Sequence, residues 1–178
     1  MMRRVFLLLV FLFSSSAFAQ DLSQEESKLY DLIMEYRESR GLEVVPLSEA
    51  LNHVARVHVQ DLIEHPPKGR CNLHSWSKYG EWSSCCYNGS PKSFSCMWDK
   101  PRELTTYTGD GYEIAYWSSA GASAQEALKG WKKSKGHNTV IINRGIWRDV
   151  QWKAIGIAVV GEYAVVWFGK EEDVTSLE

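Results

Sequence analysis

The chain has 178 residues, of which 44% are hydrophobic and 24% are charged, and its formal net charge is −2. This balance excludes a disordered chain, a collagen-like repeat and a multi-pass membrane protein. The slight negative charge also gives the chain no overall attraction for nucleic acid or for an anionic membrane surface.

The N-terminus has the order of a secretory signal peptide. Arg3 and Arg4 precede an apolar run over residues 5–13, and small residues then lead to an A-x-A pattern at residues 17–19. Nine apolar residues extend about 13 Å as a helix, whereas the hydrocarbon core of a bilayer is about 30 Å thick. The run is therefore too short for a membrane anchor.

The chain accordingly divides into three predicted segments. Residues 1–19 form the signal peptide, residues 20–170 form one domain, and residues 171–178 form a polar tail that we expect to be frayed. An exported chain of this kind is secreted or periplasmic, and cleavage would leave it without a transmembrane segment.

Hydrophobic periodicity predicts two helices at the start of the domain. Ser23 is the N-cap of the first helix, which ends at Gly41. Ser48 is the N-cap of the second helix, which ends before Pro66 because the residue that precedes a proline is disfavoured in helical geometry.

Two histidines lie on the second predicted helix. His58 belongs to its apolar stripe, and His53 lies five residues before it. A spacing of five does not bring two side chains to the same face, as a spacing of four would. Both are therefore interpreted as ordinary helix residues.

All four cysteines lie in residues 69–112, which show no sustained helical or strand period. Cys85 and Cys86 are adjacent, so a disulfide between them is hard to form. One of them is expected to pair with Cys71 and the other with Cys96, and the sequence leaves the assignment open. Export to an oxidising compartment favours two disulfides over a four-thiolate zinc site or free thiols.

The C-terminal half predicts a third helix and a β-hairpin. The helix begins at Ser123 and runs to about Ser134. Two runs rich in Val and Ile, at Ala154 to Val160 and Tyr163 to Phe168, are separated by Gly161-Glu162, which is typical of a two-residue hairpin turn. The whole pattern predicts a single α+β domain.

Three side chains that can take part in chemistry lie near predicted chain reversals. His74 follows the second helix, His137 follows the third, and Glu113 follows a Gly-Asp-Gly-Tyr turn. Spacing alone does not place them in one site. The sequence has no HExxH zinc motif, no G-x-S-x-G nucleophile elbow and no phosphate-binding loop.

Several segments resemble, in order, the motifs of the CAP family, which contains cysteine-rich secretory proteins, antigen 5 and plant pathogenesis-related proteins. Cys71-Asn72-Leu73-His74-Ser75 resembles its Cys-x-x-His-Ser stretch. Gly111-Tyr112-Glu113-Ile114-Ala115 is similar to its Gly-Glu-Asn-x-Ala segment, although Tyr112 is an extra residue and Ile114 replaces the usual Asn. Residues 131–143 resemble its Trp…Gly-His motif, and the opening helices and closing strands also correspond.

The resemblance implies a three-layer α-β-α sandwich with a central antiparallel sheet and an open cleft. It places His74, Glu113 and His137 in that cleft, and it places Ser134 where many members have a second acidic residue. Two imidazoles and one carboxylate can still form a zinc set. The missing carboxylate would weaken metal binding, because hard cations depend on charged oxygen ligands.

The Cys-rich loop, residues 71–101, is longer than its counterpart in simple bacterial members of the family. Its many aromatic side chains either fill a small local core or form a rim over the cleft. We favour the local core, because buried aromatic rings are the usual way in which a loop is held down.

Two classes of function follow from the resemblance. The favoured one is a secreted binding module whose cleft holds a small apolar ligand, such as a lipid or sterol, a cell-envelope component or a protein partner. The alternative is a zinc-dependent hydrolase in which Glu113 is a ligand or general base. A Ser–His hydrolase that uses Ser75 has less support because no oxyanion hole is identifiable. A structural or adhesive surface protein is a third class of function.

Overall fold

The computed structural model describes residues 22–174. The predicted signal peptide lies outside this range, as do the last four residues. The described part contains six α-helices, α1 to α6, in chain order: Gln24–Glu38, Glu49–Glu64, Ser95–Trp98, Lys100–Leu104, Ala124–Lys133 and Lys135–Ile141. It contains three β-strands, β1 to β3: Gly111–Trp117, Ala154–Val160 and Tyr163–Gly169.

The strands form one antiparallel sheet in the order β1-β3-β2. In its register, Glu113 of β1 lies opposite Trp167 of β3, which in turn lies opposite Gly156 of β2. Helix α2 packs on one face of the sheet, which we call the α2 side. Helices α1, α5 and α6 pack on the other, the α1–α5 side. The predicted α-β-α sandwich is therefore confirmed.

Alternation along each strand divides the buried residues into two cores. On the α1–α5 side, Ile114 and Val166 pack against apolar residues of the helices. On the α2 side, Val165 and Trp167 pack against Leu51 and its neighbours on α2. Successive strand residues point to opposite faces, so a three-stranded sheet supplies both cores.

The predicted helix starts are confirmed by their caps. Ser23 accepts a hydrogen bond from the backbone N–H of Glu26, whose side chain accepts one from the N–H of Ser23, which completes the capping box. Ser48 and Ser123 cap α2 and α5 with their hydroxyl groups, which accept hydrogen bonds from the backbone N–H groups of Leu51 and Glu126. These caps fix the first turn of each helix by satisfying N–H groups that have no partner within it.

The predicted hairpin is also present. Gly161 has a φ of +58°, which a two-residue turn between β2 and β3 requires and glycine adopts without strain. Strand β1 was not predicted as a strand, since its apolar run was interpreted only as following a turn. It forms because it pairs with β3, which is far away in sequence.

The two disulfides join Cys71 to Cys86 and Cys85 to Cys96, with Cα–Cα distances of 5.0 and 5.6 Å. The prediction of two disulfides is confirmed, and the structure settles which cysteine pairs with which. The second disulfide ties α3 to the loop, and α3 covers the free edge of β1, where the N–H of Glu113 donates to Met97 Sδ at 3.1 Å.

The tail corrects one prediction. The polar residues after β3 were expected to be frayed, yet Asp173 is buried. Its carboxylate accepts hydrogen bonds from the Ser48 hydroxyl and from the N–H of Ala50 at 2.6 and 2.9 Å. A carboxylate is favourable at the N-terminus of a helix, so this contact anchors the start of the tail to α2.

Within residues 22–174, no helix has both the length and the apolar character needed to cross a membrane.

Candidate functional site

The centre of the site is a buried histidine on α2 that sequence reasoning did not select. His58 has no exposed surface. Its Nδ1 lies 2.5 Å from Glu113 Oε1, and its Nε2 lies 3.0 Å from the carbonyl oxygen of Ser75. A carbonyl oxygen only accepts hydrogen bonds, so Nε2 carries a proton. A hydrogen also lies between Nδ1 and Glu113 Oε1, because two acceptors would not approach each other so closely.

Glu113 is the shared partner of two imidazole rings. It lies on β1 and faces the α2 side of the sheet, and its side chain is fully buried. Its other oxygen, Oε2, lies 2.6 Å from His74 Nδ1. Burial raises the pKa of Glu113, but the charge of His58 and the hydrogen bonds from His58 and His74 outweigh this and lower it from 4.5 to about 2. Glu113 therefore stays ionised at neutral pH.

His74 is the member of this chain that reaches the surface. Its side chain is 13% exposed. Because Nδ1 faces Glu113, only the other ring nitrogen, Nε2, is left for a further contact. The backbone around His74 is fixed by Asn72, whose side chain accepts a hydrogen bond from the His74 N–H at 3.0 Å, and by the nearby Cys71–Cys86 disulfide.

A tryptophan closes the inner side of the site. The Trp76 ring is stacked on His58 with a centroid separation of 4.1 Å and an interplanar angle of 8°. It also makes an edge contact with Trp167 of β3. The stacked indole ring covers one face of the imidazole and holds His58 in the plane in which its two nitrogens meet Glu113 and Ser75.

His137 lies beside His74, with ring centroids 6.5 Å apart. It was predicted to lie at a chain reversal beyond the third helix, but it belongs to the separate short helix α6. Trp131 and Trp152 hold this region, since their indole N–H groups donate to the carbonyl oxygens of Ala115 and Val140. Burial lowers the pKa of His137 below its ordinary value, the charge of His74 lowers it further, and Glu113 acts in the opposite direction.

The structure places the two serines that the sequence analysis considered, Ser134 and Ser75. Ser134 lies at the junction of α5 and α6, and its hydroxyl makes no capping hydrogen bond. Ser75 is buried, and its hydroxyl accepts a hydrogen bond from the N–H of Tyr87 at 2.9 Å and lies 3.4 Å from the Tyr87 carbonyl oxygen. In the described residues 22–174 that hydroxyl makes no hydrogen bond to a histidine, so the contacts of Ser75 do not support a Ser–His pair.

The aromatic residues of the Cys-rich loop divide between the two interpretations. Trp76 is part of the local core, as favoured. Tyr87, Phe94 and Trp98 are half-buried and form a continuous row that begins at His74. The Tyr87 ring meets the His74 ring edge-on at 5.2 Å. The polar residues of the site therefore adjoin a partly exposed aromatic surface.

The predicted zinc set does not fit this arrangement. The structure brings His74, Glu113 and His137 together, but both oxygens of Glu113 accept hydrogen bonds from imidazole groups. Zinc bound by Glu113 would displace one of these bonds. Across residues 22–174, no group of three or more His, Cys, Asp or Glu side chains is arranged to hold a metal ion. We therefore assign no step to a metal.

The interpretation of His58 as an ordinary helix residue is wrong. One signal in the sequence could have identified it, because His58 occupies the stripe of α2 that also carries Leu51, Val54 and Leu62. A histidine at the centre of a buried apolar stripe needs a buried partner. His53, on the same helix, is exposed, so for this residue the interpretation holds.

Comparisons with known proteins agree with this architecture. The structure is similar to three solved bacterial structures. An outer surface protein from Borrelia burgdorferi has a TM-score of 0.59 at 18% identity, with 86% of this chain and 97% of that chain covered. A cysteine-rich secretory protein from Staphylococcus aureus has a TM-score of 0.55 at 13% identity, with coverages of 83% and 39%.

The third structure is an extracellular protein with an SCP domain from Bacillus anthracis, with a TM-score of 0.59 at 17% identity and coverages of 85% and 45%. The chain thus spans less than half of the Staphylococcus and Bacillus proteins. At these identities the likeness establishes the fold alone. A comparison with curated protein sequences gives no match. The sequence profile of the CAP family, described as the cysteine-rich secretory protein family, matches residues 30–165, so the chain belongs to the CAP family.

Proposed function

We propose that the protein is an extracellular binding module, and that its ligand contacts the surface formed by His74 and His137, which we call the imidazole surface. The observation that carries this proposal is the closed hydrogen-bonded chain His58–Glu113–His74, in which both carboxylate oxygens have partners. This chain holds the exposed ring of His74 in one orientation. It offers no free carboxylate to act as a general base.

The character of the imidazole surface supports a ligand with both polar and apolar parts. The rings of His74 and His137 provide hydrogen-bonding nitrogens, and the half-buried row that begins at Tyr87 provides aromatic contact. A few polar groups fixed beside apolar surface are typical of binding sites for small molecules and peptides. An extracellular location accords with the two disulfides and with the names of the related proteins.

A second surface supports a lipid-like ligand. A groove of about 370 Å³ between α1 and α5 is lined by the apolar side chains of Leu32 and Leu128 and by Lys129, Lys132 and Lys133. Apolar walls with lysines beside them suit an amphiphile with an anionic head group. If the ligand is a lipid, we expect it to occupy this groove instead of the imidazole surface.

The experiment combines ligand detection with paired variants. Protein from the culture medium or periplasm would be extracted with organic solvent for mass spectrometry, and dodecanoate binding would then be titrated. Leu32→Glu should abolish binding of a lipid held in the groove, and the exposed Val44→Glu is its control. His137→Ala should abolish binding of a ligand at the imidazole surface, and the exposed His53→Ala is its control.

The hydrolase alternative would be tested on the same variants. The purified protein would be assayed against ester and peptide substrates with and without added zinc, whose binding would be measured by equilibrium dialysis. Zinc-dependent hydrolysis that His137→Ala abolishes and His53→Ala leaves intact would replace the binding proposal. Ligand binding without hydrolysis would support it.

A further inference from the structure

A separate pocket lies at the C-terminal end of α2, one helical turn beyond His58. Its volume is about 180 Å³, and its walls include Gln60, Asp61, Glu64, His65, Tyr79 and Trp82, which together define the α2-end pocket. This volume corresponds to about six water molecules at about 30 Å³ each. It is smaller than the roughly 300–1,000 Å³ of sites that enclose a whole drug-sized molecule. The pocket therefore has room for a head group.

A buried carboxylate in the pocket has an oxygen without a partner. Asp61 is only 4% exposed. Its Oδ2 accepts a hydrogen bond from the N–H of Ser77 at 2.8 Å. Its Oδ1 is buried and has no hydrogen-bond partner anywhere in residues 22–174. A buried acceptor left unpaired is unfavourable, so a donor that reached this oxygen from the pocket would relieve that cost.

The other charges around Asp61 make the pocket negative. The last turn of α2 carries no basic residue, and the C-terminus of a helix carries a partial negative charge. Glu64 adds a carboxylate, which accepts a hydrogen bond from the Gln60 side chain and lies 3.9 Å from His65 Nε2. A cation is the natural complement of such an end.

The rim already holds one cation of the chain itself. The ammonium group of Lys78 lies 5.4 Å from the centre of the Tyr79 ring, which is 67% exposed. The Tyr79 ring, which the His65 ring also contacts at a centroid distance of 4.2 Å, thus already takes part in a cation–aromatic contact at the opening. A metal ion fits less well, because no cluster of three or more metal-ligating side chains is arranged for one in residues 22–174.

We propose that the α2-end pocket binds the ammonium head of a primary alkylamine, supplied either by a free amine or by a lysine side chain of a partner. The compact ammonium group has three donors, which meet Asp61 Oδ1 and the carboxylate of Glu64. This site uses none of the residues of the imidazole surface, so it stands or falls independently of the proposed function.

The test is a titration of the full chain with n-butylammonium chloride at constant ionic strength. The NMR signals of the Trp82 indole and the Tyr79 ring should shift and saturate, and n-butanol, the neutral analogue, should give no saturable shift. Asp61→Asn should weaken binding about tenfold or more, because a hydrogen bond between charged groups is lost. Asp31→Asn, an exposed carboxylate on α1, is the control and should bind as the native chain does. Lys78→Gln should strengthen binding, because it removes the competing ammonium group.

Three results would overturn the proposal: shifts that sodium chloride or n-butanol reproduces, native affinity in Asp61→Asn, or a crystal structure in butylammonium that shows only water at Asp61 Oδ1. If Asp61→Asn fails to fold, the affinity of Glu64→Gln for butylammonium is measured in its place, since Glu64 is half-exposed. Weakened binding is expected, and native affinity would overturn the proposal. A blocked lysine-containing tripeptide identifies the source of the ammonium group. Tighter binding of the tripeptide than of butylammonium indicates a protein partner, and the reverse indicates a free amine.

Discussion

On the α1–α5 side of the sheet, the core is built from aliphatic residues such as Ile33, Ile114 and Val166, which have no exposed surface. On the α2 side, the same three strands cover a core that also contains His58 and Glu113. Polar groups in the first core, such as the indole N–H of Trp131 and the guanidinium of Arg37, donate to backbone carbonyl oxygens, and the rest of that core depends on shape and volume. The second is stable only while each buried polar group keeps its partner. The site chemistry of this protein lies on the more vulnerable side.

The largest expected effect is the loss of Glu113. Glu113→Ala leaves two imidazole groups without their shared carboxylate, and removal of one partner from a buried pair costs about 3–5 kcal/mol of unfolding free energy. Ile157→Val on the α1–α5 side should cost only about 0.5–1.5 kcal/mol, because it removes one methylene from an apolar core. Urea unfolding followed by tryptophan fluorescence measures both.

A double-mutant cycle shows whether the loss comes from the pair. Glu113→Gln and His58→Phe should each destabilise the protein, and the double variant should lose less than the sum of the two. Strict additivity would mean that His58 and Glu113 are not coupled, and the contrast between the two sides would then reduce to packing.

Acid should weaken the α2 side selectively. The pKa of Glu113 in the folded protein is about 2, below its ordinary value of 4.5, so folding favours the ionised form. Its contribution is therefore complete above pH 4.5 and is lost as the pH falls towards 2, in total about 3 kcal/mol. The difference in unfolding free energy between the native chain and Glu113→Gln should shrink over this interval. A constant difference would contradict the low pKa.

The elements that the sequence predicted are those stabilised by interactions between residues that are close in the chain. The capped helices after Ser23, Ser48 and Ser123 and the hairpin at Gly161 each depend on residues a few positions apart. Strand β1 depends on β3, about fifty residues later in the chain, and its own residues give no alternating pattern. The short helix α3 depends on the Cys85–Cys96 disulfide and on packing against β1, and α4 packs against α2 and α3. None of these contacts is visible as a period in the sequence.

The site divides in the same way. The family resemblance selected His74, Glu113 and His137, and the structure brings these side chains together. Sequence reasoning could not select His58, because the role of a buried histidine depends on its hydrogen-bond partner. That partner, Glu113, is 55 positions away in the chain. The metal prediction followed from the family resemblance and from the residue types it selected, whereas the contacts of both Glu113 oxygens depend on how α2 and the Cys-rich loop meet over β1.

A smaller effect is expected from the disulfide that supports His74. The Cys71–Cys86 bond closes a loop of 15 residues, for which chain entropy gives about 3 kcal/mol at most. Replacing both cysteines by serine should accelerate amide hydrogen exchange in the Cys-rich loop and leave α5 unchanged, since α5 packs on the opposite side of the sheet. Equal acceleration on both sides would show that the sides do not unfold separately.

The smallest effect concerns the protonation of His137 at the imidazole surface. The pKa of His137 lies below its ordinary value because the ring is largely buried and because His74 is nearby, while Glu113 acts to raise it. Glu113→Gln should therefore lower the pKa of His137 further, and His74→Phe should raise it, as NMR titration of the imidazole Cε1–H signal would show. A pKa equal to that in the unfolded chain would contradict the buried position of the ring. At neutral pH a lowered pKa leaves His137 uncharged, so that one ring nitrogen can accept a hydrogen bond, as the proposed ligand contact requires.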